Sequence, residues 1–454
     1  MPGFFALSID AENYKDDFLD DLFWQTFYQQ HLGEDYTGLA TYKRDRIKIR
    51  THRGLFRPSF NEDMLGLEGT MGIGYCGDSR EPILISSKLG EFATCFSGNI
   101  VNHDELVEKF KACGHSFAWE GIDIEIITKL IAQGEGFVDG IQKMSGEIEG
   151  AYSLSLLTPE GVYIVCDPSS RWPLVIGEKT GAVAVTTDPC GFSNNGFSYQ
   201  RDVEPGEIIL LKNGCAETKG RIPSTKVQIC TFVWVYTNYP SAIFKGIPVS
   251  AVRKRLGAIL ARQDIERGFI PDIVAPVPDS GRFCAIGYHQ EFCRQINEKK
   301  IDIIPKYDEL LMKYPYAGRS YPRSNQVARE SEAHIKQLGS GEKYPGKVVV
   351  VCDDSIRRGT QTEKNLVPKL KTLGIKEIHV RISNPDSFSY CSWGKTIQKG
   401  ELLATRIPSI KKRIEHLGIT SLRHPTVQAL AEAVGLPLDT LCIDCDLPTQ
   451  STLV

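Results

Sequence analysis

Val348–Val349–Val350–Val351–Cys352–Asp353–Asp354–Ser355–Ile356–Arg357–Arg358–Gly359–Thr360–Gln361–Thr362 is the run that decides the fold. Four consecutive valines predict a strand buried on both faces, as in the interior of a parallel sheet. Asp353 and Asp354 stand at its C-terminal end, and a loop of small, donor-bearing residues leads into a helical-looking stretch, Glu363–Leu373, that contains Pro368. Open α/β sheets bind ligands beyond the C-terminal ends of their strands, and a helix N-terminus with free N–H groups favours phosphate. Gly359 permits close backbone approach to an anion, while Ser355 and Thr360 add hydroxyl donors. Carboxylates do not bind phosphate, so Asp353 and Asp354 suit ribose hydroxyls or a magnesium ion.

Upstream, Ile273–Val274–Ala275–Pro276–Val277–Pro278–Asp279–Ser280–Gly281–Arg282 has a related layout. A strand ends in a loop where Ser280 offers a hydroxyl and Gly281 an unobstructed N–H, ahead of a helix over Ala285–Phe292. Alone, that segment also reads as an ordinary Pro-Asp-Ser-Gly turn. A preceding helix is marked by Val252, Leu256, Ile259 and Leu260.

The bulk properties set limits. The 454 residues suffice for two or three domains. A net charge of −3 with mixed signs gives no case for nucleic acid or membrane attraction. No apolar run reaches the length of a membrane span, and Met1–Lys15 lacks a signal-peptide layout, so a cytoplasmic protein is expected. Thirteen scattered cysteines do not suggest a secreted disulfide framework.

The strand–Asp–Asp–loop–helix run resembles the phosphoribosyl pyrophosphate (PRPP) loop of type I phosphoribosyltransferases, in the form found in the glutamine phosphoribosylpyrophosphate amidotransferase family. The resemblance implies that Asp353 and Asp354 are catalytic, holding the ribose and, with Ser280, Mg2+. It implies that PRPP also meets Asp279, Ser280, Gly281, Ser355, Arg357, Arg358, Gly359, Thr360 and Gln361. Arg357 stands where the family has an apolar residue and Gln361 where it has threonine; Arg357 is expected to add charge beside a phosphate. Tyr316–Ala317–Gly318–Arg319–Ser320–Tyr321, with Gln326–Val327–Ala328–Arg329, resembles the flexible loop that closes over PRPP. Arg319 would neutralise the leaving pyrophosphate there while the loop excludes water.

The front of the chain, residues 1–228, resembles the glutaminase domain of class II amidotransferases, a four-layer α/β/β/α fold of the N-terminal-nucleophile type. Strands are expected at Met71–Tyr75, Gly150–Leu157 and Val162–Val165, and helices at Leu106–Ala112 and Ile124–Ile131. Gly98–Asn99–Ile100–Val101–Asn102, Asp123–Ile124–Glu125, Asp167–Pro168 and Pro205–Gly206–Glu207–Ile208 match the family's scaffold. The chemistry does not match. Pro2 stands where the family has its nucleophilic cysteine, and proline has no nucleophilic side chain. Gly77 replaces the arginine that clamps the glutamine carboxylate, and Ser97–Gly98 replaces the oxyanion-hole Asn-Gly. Asp123, the partner of the glutamine amine, is retained alone. Cys76 and Cys95 fall close to this pocket and are the candidates for a relocated nucleophile.

Residues 229–405 form the expected transferase domain, with a mostly parallel sheet entered by a strand over Cys230–Tyr236. Residues 406–454 read as a helical tail packing on it, with helices over Ile407–Gly418 and Pro425–Val434. Cys442–Ile443–Asp444–Cys445 is weak evidence by itself. With Cys230 and Cys391 it resembles the four cysteines that hold a [4Fe-4S] cluster in one branch of the family; Zn2+ is the chemical alternative.

The expected activity is therefore PRPP-dependent transfer of ribose 5-phosphate, without glutamine hydrolysis, to ammonia or another small nucleophile made by a separate enzyme. A silent PRPP or nucleotide sensor that regulates an amidotransferase is the alternative from another class. A glutamine-dependent enzyme with a relocated nucleophile is the third. The family also implies a homo-oligomer, dimer or tetramer.

Overall fold

The computed structural model describes every residue except 1, 61–63, 65, 119–121, 225, 316–336, 395–399 and 448–454. Arg319, Gln326 and Arg329 therefore lie outside the described residues. The chain divides into two compact units, the first Met1–Cys230 with Thr237–Gly246 and Ser392–Gly394, the second Thr231–Tyr236, Ile247–Cys391 and Lys395–Val454.

In the first unit, two antiparallel sheets face each other. Strands β1 (Gly3–Ile9), β2 (Tyr36–Lys43), β3 (Arg46–Arg53) and β4 (Met71–Gly77) belong to a seven-stranded sheet in which β1 pairs with β4, β4 with β2, and β2 with the edge strand β3. The six-stranded sheet contains β5 (Ile83–Ser87), β6 (Gly90–Ile100), β7 (Gly150–Thr158) and β8 (Gly161–Cys166). Alternate residues of both sheets, among them Phe4, Ile73, Cys95, Leu157 and Ile164, meet in one apolar layer. Helix α1 (Phe18–Phe27), capped by Asp17, covers the outer face of the first sheet. Helices α2 (His103–Ala112), α3 (Asp123–Ile131) and α4 (Phe137–Glu147) cover the second, sharing a core with Phe92, Leu154 and Leu156. The layers are α/β/β/α.

The second unit is built on a five-stranded sheet, ordered Lys306–Tyr307, Ile273–Pro276, Val348–Asp353, Glu377–Ile382, Ser421–Arg423, with all four pairings parallel. Val348–Asp353 is central and Val349–Cys352 are completely buried, at about 1.5–3 kcal/mol for each large apolar side chain. Helices Val249–Ile265 and Arg282–Asn297 bury Leu260, Tyr288 and Phe292 against one face; Leu366, Leu370 and Leu417 pack on the other.

Three local expectations change. The expected strand over Cys230–Tyr236 is strand only at Ile229–Cys230; Val233–Thr237 is a wide π-helical turn. Its carbonyls find a side chain instead of a neighbouring strand: Arg253 donates to Trp234 O (2.9 Å) and Tyr236 O (3.1 Å). The stretch after the acidic pair opens as another π turn, Thr362–Leu366, and becomes α-helical at Val367–Thr372, where Pro368 sits in the first turn and lacks the N–H that a regular upstream turn would use. The tail carries helices Ile410–Leu417 and Val427–Val434, and Ser421–Arg423 between them adds the last strand of the sheet.

Candidate functional site

The acidic pair stands where the central parallel strand ends. Both its carbonyls are pinned from the next strand, Asp353 O accepting from Ser383 N and Asp354 O from Asn384 N, each at 2.9 Å. The side chains face a common point. Asp353 Oδ1 accepts from Ser280 Oγ (2.8 Å) and from Asp354 N (2.9 Å), and Asp354 Oδ2 accepts from Ser355 Oγ (2.7 Å). Burial and the neighbouring Asp354 carboxylate push the Asp353 carboxyl well above the usual carboxylate range. Two adjacent carboxylates cannot both ionise cheaply without a cation or donor between them. Hard oxygen donors from Asp353, Asp354 and Ser280 fit Mg2+, so these residues meet the chemical requirement for that ion.

The loop after Pro276 lies directly beside this point. Val277 N donates to Cys352 O (2.8 Å), and the Pro278–Asp279 peptide is cis. Gly281 is required here for a reason other than the expected one. Its N–H is not open to a ligand but donates to Val277 O (2.8 Å), and a Cβ on it would lie 1.9 Å from Cys352 O. Asp279 is held by two cations, Lys313 Nζ at 3.0 Å and Arg282 Nη1 at 3.3 Å. Sequence reasoning missed Lys313, which has no local motif and comes 34 residues after Asp279. A pyrophosphate needs cations such as these.

In the phosphate loop Gly359 takes φ +84°, which favours glycine, and its carbonyl accepts from Glu363 N (2.9 Å). Thr360 and Gln361 follow at the helix entrance, both partly exposed. Arg358 is drawn into an ion pair with Glu401, its Nε 3.0 Å from Glu401 Oε2. The expectation for Arg357 needs correcting: its guanidinium lies 4.1 Å from the centre of the Phe232 ring and 3.8 Å from Cys445 Sγ. The backbone turns it there, since Arg357 O accepts from Leu403 N (2.7 Å) and the aromatic face and sulfur offer a guanidinium a better-defined seat.

Cys391, Cys442 and Cys445 belong to the second unit and Cys230 to the first. Cys445 O accepts from Phe388 N (2.9 Å) and Ser389 N (3.1 Å), which draws the segment carrying Cys391 toward the tail. Burial pushes the Cys445 thiol well up, so a thiolate there needs a metal or the Arg357 charge. Among the described residues a different trio, His31, Asp188 and Cys190, has its donor atoms within 4.8 Å of one another. His31 Nε2 and Asp188 Oδ2 are only 2.7 Å apart. Ligands sharing a tetrahedral ion with bonds near 2.0–2.1 Å stand roughly 3.3 Å apart, so this is a hydrogen-bonded pair.

In the first unit the matching pocket is filled from within. Ser97 Oγ donates to Pro2 O (2.6 Å), and the Tyr75 hydroxyl occupies the space beside Gly77. Asp123 is held within the protein: its Oδ1 meets His103 Nδ1 at 2.8 Å, and its Oδ2 accepts from Ile100 N (3.3 Å). Cys95 lies completely buried between the sheets and Cys76 completely buried on the opposite face under α1, where its Sγ donates to Thr26 O (3.4 Å), and burial pushes both thiols well above their usual range.

Comparison with known proteins adds a second line. A family model described as a glutamine amidotransferase domain matches residues 73–192. The amidophosphoribosyltransferase of Methanothermobacter thermautotrophicus is 31% identical over 98% of this chain and 94% of its own length. That of Bacillus subtilis is 28% identical over 90% of this chain and 86% of its own. A solved structure described as glutamine phosphoribosylpyrophosphate (PRPP) amidotransferase from B. subtilis, complexed with ADP and GMP, matches with a TM-score of 0.85 at 26% identity, covering 98% of this chain and 96% of that one.

Proposed function

Because this chain belongs to the amidophosphoribosyltransferase family, we propose that it transfers the phosphoribosyl group of PRPP to ammonia or another amine supplied from outside, releasing pyrophosphate without hydrolysing glutamine. The observation that carries this reading is an asymmetry between the two pockets. Ser280, Asp353, Asp354 and Ser355 converge at the strand end, whereas the other pocket has proline at position 2 and Tyr75 in the space beside Gly77. The burial of Cys76 and Cys95 weighs against a relocated nucleophile.

In this mechanism Asp353 and Asp354 hold the ribose hydroxyls and, with Ser280, would hold Mg2+. The ion, when bound, would supply charge neutralisation at the pyrophosphate. Lys313 and Arg282 offer cations to the same leaving group, and Arg319 is assigned to the closing loop. Gly359, Thr360 and the helix entrance receive the 5-phosphate through N–H and hydroxyl donors. A neutral amine attacks ribose C1 in line and needs no strong protein base. The reading places the reaction in the cytoplasm; among the described residues no helix is long and apolar enough to cross a membrane.

Residues 1–228 are read as a silent glutaminase scaffold, 229–405 as the transferase and 406–454 as its tail. Cys230, Cys391, Cys442 and Cys445 are assigned to a structural [4Fe-4S] cluster or Zn2+, since ribosyl transfer moves no electrons. Metal and sulfide analysis of anaerobically purified protein separates the two. For the activity, pure protein with PRPP, magnesium and ammonium should release pyrophosphate, and glutamine in place of ammonium should not. Silence with ammonium and with a panel of small amines rejects transferase activity. One observation favours a second reading, a PRPP sensor: the loop's two guanidiniums, Arg357 and Arg358, are seated on Phe232 and Glu401. Calorimetric binding of PRPP without turnover would select it.

A further inference from the structure

The edge strand of the parallel sheet, Ser421–Arg423, borders a cleft of about 380 Å³ whose lining includes neither Asp353 nor Asp354. Small-molecule pockets start at roughly 300 Å³, so the space suits a compact ligand. Cationic charge is in excess around it. The completely buried Asp264 already accepts from Arg381 Nε (2.5 Å) and Nη2 (3.0 Å) and from the Tyr288 hydroxyl (2.7 Å). Arg423 is a second guanidinium on that one carboxylate: its Nε lies 3.1 Å from Asp264 Oδ1 without a hydrogen bond. Burial and then the Arg381 charge push the Arg423 guanidinium below its usual range, and Arg267 adds to the effect. Arg423 and Arg267 both line the cleft, and Glu266 is the one acid among its lining residues.

Two helices begin at the same cleft. Ile410 is the first residue of Ile410–Leu417, and Thr426 caps Val427–Val434. The caps serve only Lys412 N and Ala429 N, which leaves the N–H groups of Ile410, Lys411, Val427 and Gln428 for an outside acceptor. The first turn of Ile410–Leu417 holds Lys411 and Lys412 and no acid. Lysines there oppose the positive end of the helix dipole, an arrangement that an anion relieves. His424 also lines the cleft; its Nδ1 donates to Asn384 O (3.0 Å), and its Nε2 is buried without a partner. A buried polar atom left unpaired at a cleft is a further sign of a missing ligand. Solvated lysines on a helix are ordinary, but they do not account for a second arginine pressed on a carboxylate that is already satisfied.

We propose that this cleft binds a small phosphate monoester. Arg423, Arg267 and the first-turn N–H groups hold the phosphate, and Ile410 and Leu422 receive the body of the ligand. Donors arriving from a strand, a helix end and two helix starts suit a tetrahedral group with oxygens on several sides better than a planar carboxylate. The cleft is separate from the phosphate loop but close to the acidic pair through the backbone: His424 meets Asn384 O, and Asn384 N donates to Asp354 O (2.9 Å).

Crystals of the full chain soaked with tungstate, a heavy phosphate analogue, test this by anomalous scattering. A peak within hydrogen-bond reach of Arg423 and Arg267 is expected; a peak at the strand end alone, or none, overturns the proposal. Arg267→Glu changes an exposed side chain and should remove the cleft peak while leaving any peak at the phosphate loop, which shows that the variant is folded. In equilibrium dialysis with labelled glycerol 3-phosphate, the same change should weaken one class of site by at least about tenfold. Glycerol should not displace the label. Displacement by glycerate as effective as by inorganic phosphate overturns the phosphate assignment. Binding seen only above about 10 mM and indifferent to Arg267→Glu means an adventitious ion only, and also overturns the proposal.

Discussion

The hydroxyl of Tyr75 fills the space into which a side chain at position 77 would project: a Cβ on Gly77 would lie 2.0 Å from its oxygen. Tyr75 is completely buried and joined to Ser79 Oγ at 2.9 Å, so it cannot simply swing aside. Gly77→Ala should therefore cost about 1–3 kcal/mol of stability, as overpacking does, and almost nothing in a Tyr75→Ala background. A double-mutant cycle by urea denaturation measures this coupling. By the same geometry, Pro2→Cys with Gly77→Arg should yield no glutamate from glutamine while Tyr75 remains.

The next residue in that hydrogen-bonded line is Glu81, whose Oε1 accepts from Ser79 Oγ (2.6 Å) and Oε2 from Phe96 N (2.6 Å). Burial raises its carboxyl to about 8 despite those bonds. A native value above the unfolded one means that the folded chain holds an extra proton between pH 4.5 and about 8. Stability from this group is fully present below the lower value, falls as pH rises through the window at roughly 1.4 kcal/mol per unit, and levels above it. Glu81→Gln keeps the acceptor and removes the titration. Urea melts at pH 5.5 and 8.5 should show a loss roughly 3 kcal/mol larger in the wild type than in the variant.

The parts of the fold that could be read in the sequence are those specified locally. Four valines followed by two aspartates allow little except an interior parallel strand ending at a ligand edge, and Val349–Cys352 are indeed completely buried. Gly359 needed only its own φ. What could not be read depends on partners distant in sequence. Arg253 satisfies the carbonyls of Trp234 and Tyr236 from 19 and 17 residues away, which turns an apparent strand into a π turn. His103 takes the Asp123 carboxylate 20 residues on, and Arg357 reaches Cys445 across 88. Sequence pattern reports backbone period and residue chemistry; it does not report which way a long side chain turns once the tail has folded beside it.

That side chain gives a discriminating test. If Arg357 served the phosphate, replacing it would weaken PRPP binding strongly. Its seat on Phe232 and beside Cys445 leads to the opposite expectation. Arg357→Met should leave the Kd for PRPP within about threefold, since no charge-assisted bond to the ligand is lost. It should instead loosen the tail, seen as faster alkylation of Cys445 and easier loss of any metal the protein retains. Calorimetry and mass-spectrometric mapping of the modified thiol report the two quantities separately.

The acidic pair itself should respond sharply to a change that alters charge and little else. Asp353→Asn keeps the shape that receives Ser280 Oγ and Asp354 N, but removes a negative charge that a cation or ribose would use. The expected loss is about 10²-fold or more in kcat/KM for PRPP, with the melting temperature unchanged or raised, because a buried carboxyl beside another carboxylate is replaced by a neutral amide. Ser280→Ala, which removes one hydroxyl, should cost less, about tenfold. Gly281→Ala should behave differently from both. Its Cβ would meet the Cys352 carbonyl at 1.9 Å and force the loop off the strand end, so binding and stability should fall together. Pyrophosphate-release assays paired with thermal melts distinguish the three. Near-normal turnover in Asp353→Asn would place the ribose somewhere other than at this strand end.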